Sequence, residues 1–181
     1  MKIIVLDRDG VINRDSDDYI RSAKEFIPID GSIEAIARLS LGGYRVVLAT
    51  NQSGLARGYF GEEQLSEMHH LLCAMVEEAG GCIDGIFYCP HLPSAGCACR
   101  KPRTGLLKQI EEQFTCDLSG CYFVGDSLKD IQAARSFGCY PILVRTGKGL
   151  ATEQQLVDSP VPTYDDLASA VANLLEPSIH E

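Results

Sequence analysis

At 181 residues, with a formal charge of −9 and 45% hydrophobic residues, the chain has the length of one domain and enough apolar material to build a core without disulfides. The acidic balance excludes a nucleic-acid scaffold, for which a basic stripe is the expected footprint. It leaves small anionic substrates open, because a few local cations in a pocket outweigh a distant acidic surface.

The chain runs directly into Ile3-Ile4-Val5-Leu6, a short apolar run of the kind that forms a strand buried on both faces. No charged leader or small-residue cleavage site precedes it, so a secretory signal is not expected. No apolar run approaches the roughly 18 residues needed to cross a bilayer. A cytoplasmic monomer is expected, with neither membrane nor nucleic acid as partner. Its eight cysteines then sit in a reducing compartment, where a tight Cys/His cluster points to metal rather than disulfides.

Asp30-Gly31-Ser32 offers start chemistry for a helix carrying Ile33, Ile36, Ala37 and Leu41, which ends near Gly42-Gly43. Arg45 to Ala49 reads as a second strand. Glu62 and Glu63 open a helix whose Leu65, Met68, Leu72, Met75, Val76 and Ala79 follow helical spacing to Gly80-Gly81. Gly85 to Tyr88 is a third strand. A helix from about Thr104 carries Leu107, Ile110 and Phe114, and Cys121 to Val124 is a fourth strand. Ile131, Ala134 and Arg135 lie on a helix stopped near Gly138. Tyr140 to Val144 is a fifth strand, and Pro141, which lacks a donor, places it near a sheet edge. A last helix is expected from Tyr164 to Leu175. Strands alternating with helices predict an α/β domain over residues 1–176 with a mainly parallel sheet, and a frayed tail at 177–181.

Four chemical clusters fall at successive strand ends, where ligands sit in such sheets. Asp7-Arg8-Asp9-Gly10 follows the first strand, and strand alternation turns Asp7 and Asp9 to one side. Asp7 can attack phosphorus while Asp9 moves protons, provided a divalent cation lets a carboxylate approach an anion. Alone, the pair reads more often as a solvated acidic turn. Thr50-Asn51-Gln52-Ser53-Gly54 offers a hydroxyl and backbone N–H groups to phosphate oxygens, or simply a polar turn. Arg100-Lys101 supplies cations suited to phosphate, or a surface basic pair. Gly125-Asp126-Ser127 supplies in Asp126 a hard oxygen ligand suited to Mg²⁺. Asp130 divides evenly between capping Ser127 and supporting the site.

In order and spacing, these four clusters resemble the motifs of the haloacid-dehalogenase-like phosphatase superfamily, across nearly the whole chain. The resemblance implies a three-layer α/β sandwich, a five-stranded sheet of order 5-4-1-2-3, and no large cap domain. It also implies Asp7 as nucleophile, Asp9 as general acid/base, and Thr50 and Lys101 as stabilisers of the phosphoryl group. Mg²⁺ would be held by the Asp7 carboxylate, the Asp9 backbone carbonyl and Asp126.

Cys89-Pro90-His91 and Cys97-Ala98-Cys99 are two tight pairs within a loop spanning residues 89–99. Three thiolates and an imidazole make a closed tetrahedral Zn²⁺ set with no position open for water, hence a structural one. The loop ends directly at Arg100-Lys101 and would hold these cations toward the site. The remaining cysteines read as core packing.

Zinc-loop members of the superfamily include the D-glycero-D-manno-heptose-1,7-bisphosphate 7-phosphatase family and histidinol-phosphate phosphatases. The stretch from Thr50 to Phe60, Gly125 to Ala134, and Arg145-Thr146-Gly147-Lys148-Gly149 resemble the heptose family, which implies a sugar-phosphate substrate of nucleotide-activated heptose and lipopolysaccharide biosynthesis. Histidinol phosphate stays as the alternative, and a non-catalytic zinc-stabilised module as a lesser one. With no inserted cap, short loops must recognise the substrate. Asp15, Ser16, Asp17, Asp18 and Tyr19 form the candidate loop, with Asp15, Asp18 and Tyr19 as the chosen contacts and Asn51, Ser53 and Arg100 beside them.

Overall fold

The computed structural model describes residues 1–176; the expected frayed tail lies outside them. Six parallel strands form one sheet: β1 (Lys2–Leu6), β2 (Tyr44–Asn51), β3 (Gly85–Cys89), β4 (Tyr122–Gly125), β5 (Tyr140–Val144) and β6 (Thr163–Tyr164), in the order β3-β2-β1-β4-β5-β6. This is the expected order with one strand added beyond β5. The helices are α1 (Ser32–Leu41), α2 (Glu62–Glu78), α3 (Gly105–Phe114), α4 (Leu128–Phe137), α5 (Gly149–Gln155) and α6 (Leu167–Leu175).

Strand alternation sorts the core into two layers. Ile4 and Leu6 of β1, Val46 and Leu48 of β2, and Val124 of β4 face one side. There they meet Ile36 and Leu39 of α1, Met68 and Leu72 of α2, and Val171 of α6. Ile3, Val5, Val47 and Phe123 face the other, against Leu106 and Ile110 of α3 and Ala133 and Ala134 of α4. Each such large side chain withdrawn from water contributes roughly 1.5–3 kcal/mol. Helices on both faces of a parallel sheet give the predicted three-layer sandwich.

One expectation at the carboxyl-terminal end needs correction. The last helix begins at Leu167, because Asp166 caps it by accepting from the Ser169 N–H at 2.7 Å. Tyr164 instead lies in β6, its carbonyl accepting from the Arg145 N–H. The short helix α5, unforeseen, follows β5. The Pro141 argument holds locally: β6 pairs only with Leu143 and Val144, so the side of β5 where Pro141 lacks an N–H is uncovered.

The topology also fixes where a ligand can sit. From β1 the chain winds outward through α1 and α2 to β3, then returns to β4 beside β1 and winds the other way. The crevice at this reversal lies outside the carboxyl ends of β1, β2 and β4. Asp7, Thr50 and Asp126 stand at those three ends.

Candidate active site

A cavity of about 450 Å³ opens over these strand ends, within the usual range for small-molecule sites. Asp7, Asp126 and Asp130 sit at its floor, all three buried, each offering an oxygen within 4.8 Å of the others. Asp7 follows β1 directly; its Oδ1 accepts from the Arg8 backbone N–H at 2.8 Å. Lys101, 3% exposed, lies between two of these acids, its Nζ 2.9 Å from Asp7 Oδ1 and 2.7 Å from Asp130 Oδ1. These contacts are ion pairs rather than well-aligned hydrogen bonds.

Three acids around one cation leave negative charge uncompensated. Burial, then the Asp130 carboxylate, pushes the Asp7 pKa well above the ordinary carboxylate value, and Lys101 offsets only part of this. Burial and Asp130 likewise push Asp126 up to about 7, against the Lys148 backbone N–H that bonds its Oδ2 at 2.8 Å. Lys101 moves in the opposite sense: burial works against its charge, but Asp130 and Asp7 outweigh it and raise its pKa. Hard oxygen donors with surplus negative charge are the chemistry that Mg²⁺ requires, so the residues present fit that ion.

Backbone shape makes room for this floor. Gly10 has φ +83° and Gly147 φ +57°, and a Cβ on either would overlap the Asp126 carboxylate. The Thr146 hydroxyl donates to the Gly10 carbonyl at 2.6 Å, tying the β5–α5 loop to the loop after β1.

Asp9 lies beside this cluster, not in it. Its Oδ1 accepts from Arg8 Nη2 and Asn13 Nδ2, both at 2.8 Å, and its Oδ2 from Gln52 Nε2 at 2.9 Å. Burial opposes its ionisation, but the Arg8 guanidinium and these amide donors outweigh it and hold its pKa below the ordinary value. The same Gln52 amide donates to the buried Thr50 hydroxyl at 2.9 Å, linking the ends of β1 and β2.

The structure gathers most of the residues singled out in the sequence. Asp7, Asp9, Asp15, Tyr19, Thr50, Asn51, Ser53, Arg100, Lys101 and Asp126 all line the cavity. Asp18 does not: it is exposed and its carbonyl accepts from Arg21 Nε, while Ser16 and Asp17 of the same candidate loop do line the cavity. Asn51 grips Lys101 at two points, accepting from its N–H at 3.1 Å and donating to its carbonyl at 3.2 Å. Tyr19 has φ +66°, which few residues other than glycine adopt. Its hydroxyl lies 3.4 Å from Ser53 Oγ, so the loop after β1 leans on the turn after β2. Asp130 does both things expected of it. Its Oδ2 accepts from the Ser127 N–H and hydroxyl, while its Oδ1 faces Lys101.

Sequence reasoning missed Arg8, Gln52, His69, Lys129 and Lys148. Arg8 stands inside the quoted motif, where alternation turns it away from Asp7 and Asp9 into the interior. It is fully buried there and reaches back to Asp9 and to His69 Nε2 at 3.3 Å. Gln52 follows Thr50 by two residues, the period that keeps side chains on one face.

Beside the cavity, Cys89, His91, Cys97 and Cys99 converge within 4.8 Å of one another. Cys97 Sγ lies 3.6 Å from both Cys89 Sγ and Cys99 Sγ, and His91 Nδ1 lies 3.3 Å from Cys99 Sγ. A tetrahedral ion with metal–sulphur bonds near 2.3 Å would set its sulphurs about 3.7 Å apart, so the four residues fit such an ion. Burial opposes ionising Cys97, but the Arg100 backbone N–H and the neighbouring thiols outweigh it and bring its pKa down to about 6.

Comparisons with known proteins agree with this geometry. The HAD-hydrolase-like family model matches residues 98–170. The D-glycero-beta-D-manno-heptose-1,7-bisphosphate 7-phosphatase of Pseudomonas aeruginosa is 53% identical over 174 residues, covering 96% of this chain and 98% of that protein. The crystal structure of D,D-heptose 1,7-bisphosphate phosphatase from Bordetella bronchiseptica, complexed with magnesium and phosphate, superposes with a TM-score of 0.93 at 48% identity, over 97% of this chain and 98% of that one. The corresponding structure from Burkholderia thailandensis gives a TM-score of 0.76 at 39% identity, over 98% and 100%. The chain belongs to the D-glycero-beta-D-manno-heptose-1,7-bisphosphate 7-phosphatase family of haloacid-dehalogenase-like hydrolases.

Proposed function

We propose that the protein is a Mg²⁺-dependent phosphatase that removes the 7-phosphate of D-glycero-beta-D-manno-heptose 1,7-bisphosphate. The observation that carries this reading is the buried trio Asp7, Asp126 and Asp130 around Lys101, at the floor of an open cavity. The relatives' names favour the heptose bisphosphate over histidinol phosphate, which the motifs left open.

In this reading Asp7 attacks phosphorus, the bond to the sugar oxygen breaks, and the leaving oxygen takes a proton from Asp9. The resulting aspartyl phosphate is then hydrolysed by a water whose proton returns to Asp9. As found, Asp9 is held ionised by Arg8, Asn13 and Gln52, the form that accepts a proton from water. An arriving phosphate disfavours a second negative charge beside it, and so favours the protonated form needed in the first step. Lys101 and the Thr50 hydroxyl stabilise charge on the phosphoryl oxygens. Mg²⁺, held by the Asp7 carboxylate, the Asp9 backbone carbonyl and Asp126, supplies the positive charge that lets a carboxylate meet a phosphate.

Asp15, Tyr19, Asn51 and Ser53 serve the sugar end of the substrate, and Arg100 its other phosphate. Zn²⁺ in the Cys89, His91, Cys97 and Cys99 set has a structural role, since four protein ligands leave no open position. No helix among the described residues is long and apolar enough to cross a membrane; action in the cytoplasm as a monomer is part of the same proposal.

Purified protein with Mg²⁺ should prefer the 1,7-bisphosphate over histidinol phosphate and simple sugar phosphates, and Asp7→Asn should abolish turnover. Equal rates on all three substrates would overturn the substrate. Full activity of Asp7→Asn would remove the nucleophile.

A further inference from the structure

The two oxygens of the Asp9 carboxylate are not equivalent. Oδ1 accepts from Arg8 Nε at 3.1 Å, from Arg8 Nη2 at 2.8 Å and from Asn13 Nδ2 at 2.8 Å. Among the described residues Oδ2 accepts only from Gln52 Nε2, at 2.9 Å. A carboxylate oxygen has about two lone-pair sites, so Oδ1 is saturated and Oδ2 keeps one free. A proton on Asp9 therefore goes to Oδ2.

What keeps Oδ1 saturated is the orientation of the Arg8 guanidinium, whose Nε and Nη2 converge on that one oxygen. Arg8 is fully buried, its ion pair is with Asp9, and its Cζ lies 5.8 Å from the centre of the Phe26 ring. Its other terminal nitrogen, Nη1, meets His69 Nε2 at 3.3 Å. The guanidinium is planar, so anchors on two of its edges fix its rotation. His69 is itself held. It stands on α2, and its ring lies 6.1 Å from that of Tyr88 in β3, whose hydroxyl donates to Glu62 Oε2 at 2.8 Å. To accept from an arginine, Nε2 must carry a lone pair, which puts the ring proton on Nδ1.

We infer that His69 is a positioning residue for the reaction, acting through Arg8 on Asp9. The inference rests on the phosphatase reading and deepens it. In the first step the Oδ2–H bond breaks and its proton goes to the sugar oxygen, which keeps the electron pair of the cleaved P–O bond. In the second, a water proton goes to Oδ2 as the water oxygen bonds to phosphorus and Asp7 leaves as a carboxylate. Without an acceptor at position 69, Nη1 becomes a buried donor with no partner. The guanidinium then turns toward another acceptor, Oδ1 loses a donor, and the proton no longer has one fixed seat.

The test uses a leaving group that needs no proton. p-Nitrophenolate departs unprotonated, the sugar oxygen does not, and kcat/KM reports the reaction only as far as phosphorylation of Asp7. In His69→Leu, kcat/KM for the heptose 1,7-bisphosphate should fall about tenfold, with the loss carried by kcat. For p-nitrophenyl phosphate it should stay within about twofold of wild type. His69→Gln, whose amide oxygen accepts from Arg8, should keep both values. Equal losses on the two substrates overturn the inference, as does an undiminished bisphosphate value in His69→Leu or a loss as large in His69→Gln. If His69→Leu does not fold, His69→Phe keeps a ring beside Tyr88 but lacks the acceptor, and the same outcomes decide. Wild type that released phosphate from neither compound would remove the phosphatase reading, and this inference with it.

Discussion

The ammonium of Lys101 lies 2.9 Å from Asp7 and 2.7 Å from Asp130, with only 3% of the side chain exposed. One cation thus holds together two carboxylates that repel each other and a third, Asp126. Replacing Lys101 with Met leaves this repulsion unbalanced in a buried site. The variant should lose roughly 3–5 kcal/mol of stability in metal-free buffer. Raising Mg²⁺ should restore part of this, because the ion supplies charge to the same acids. Turnover should stay at least about 10²–10³-fold down even at saturating Mg²⁺, since in the proposed function Lys101 also stabilises the phosphoryl oxygens. Thermal melts across a Mg²⁺ series, with phosphate release alongside, check both outcomes.

Gly10 and Asp126 meet where a side chain has no room. Gly10 has φ +83°, and its Cβ would coincide with the Asp126 carboxylate. In Gly10→Ala either the loop after β1 shifts or Asp126 moves aside. The strained backbone costs about 1–2 kcal/mol on its own. Displacement of Asp126 should weaken apparent Mg²⁺ affinity about tenfold, read from the Mg²⁺ dependence of phosphate release. A variant with lower melting temperature but unaltered Mg²⁺ dependence would show that the glycine serves the loop alone.

The floor of the site was legible because its residues follow strands, and strand periodicity is strict. Asp7, Thr50 and Asp126 each come at the carboxyl end of an apolar run, and a parallel sheet brings such ends together. The order of five strands came instead from the resemblance to the superfamily, which periodicity alone does not supply. What escaped is what periodicity does not govern. β6 has two residues and pairs only through Leu143 and Val144, too short to leave a pattern. Asp18 sits in a loop where the backbone, through the left-handed Tyr19, decides which acid faces the cavity. Arg8 carries a charge that normally reads as exposed, and only the partners Asp9 and His69 explain its burial.

Burial of Arg8 makes a pH prediction. His69 Nε2 receives the Arg8 guanidinium at 3.3 Å, so this ring must be neutral there. Burial, then Arg8, lowers its pKa from 6.5 to about 4, with Asp9 offsetting a little. Between these values the unfolded chain binds more protons than the folded one, so stability rises with pH. The contribution of neutral His69 is whole above about pH 6.5 and is lost as the pH falls toward 4. Its full size is about 3 kcal/mol by the linkage relation. In His69→Gln the amide oxygen can accept from Arg8 without titrating, so the fall in melting temperature between pH 6.5 and 4 should flatten. Equal pH dependence in both proteins would place the acid sensitivity elsewhere.

The loop that brings Cys89, His91, Cys97 and Cys99 together ends just before Lys101, so under the proposed zinc and phosphatase roles metal loss is joined to activity. Cys99 is followed by Arg100 and Lys101, and Arg103 Nη1 donates to the Cys97 carbonyl at 2.6 Å, so the loop's backbone braces the start of α3. Elemental analysis of protein purified without chelator should find one zinc per chain. Removing it leaves three thiols and an imidazole crowded without the charge that held them, and Cys97, brought down to about 6, then carries a free thiolate near neutral pH. Chelation should lower the melting temperature and the turnover number together, with Mg²⁺ affinity less affected, because Asp7 and Asp126 are carried by the ends of β1 and β4 and not by the loop. Cys97→Ser should reproduce both losses without chelator. If the zinc-free protein kept its full turnover number below its melting transition, the loop would stabilise the fold without positioning Lys101. In that case the Asn51 clamp on Lys101, with bonds of 3.1 and 3.2 Å, would hold the cation by itself.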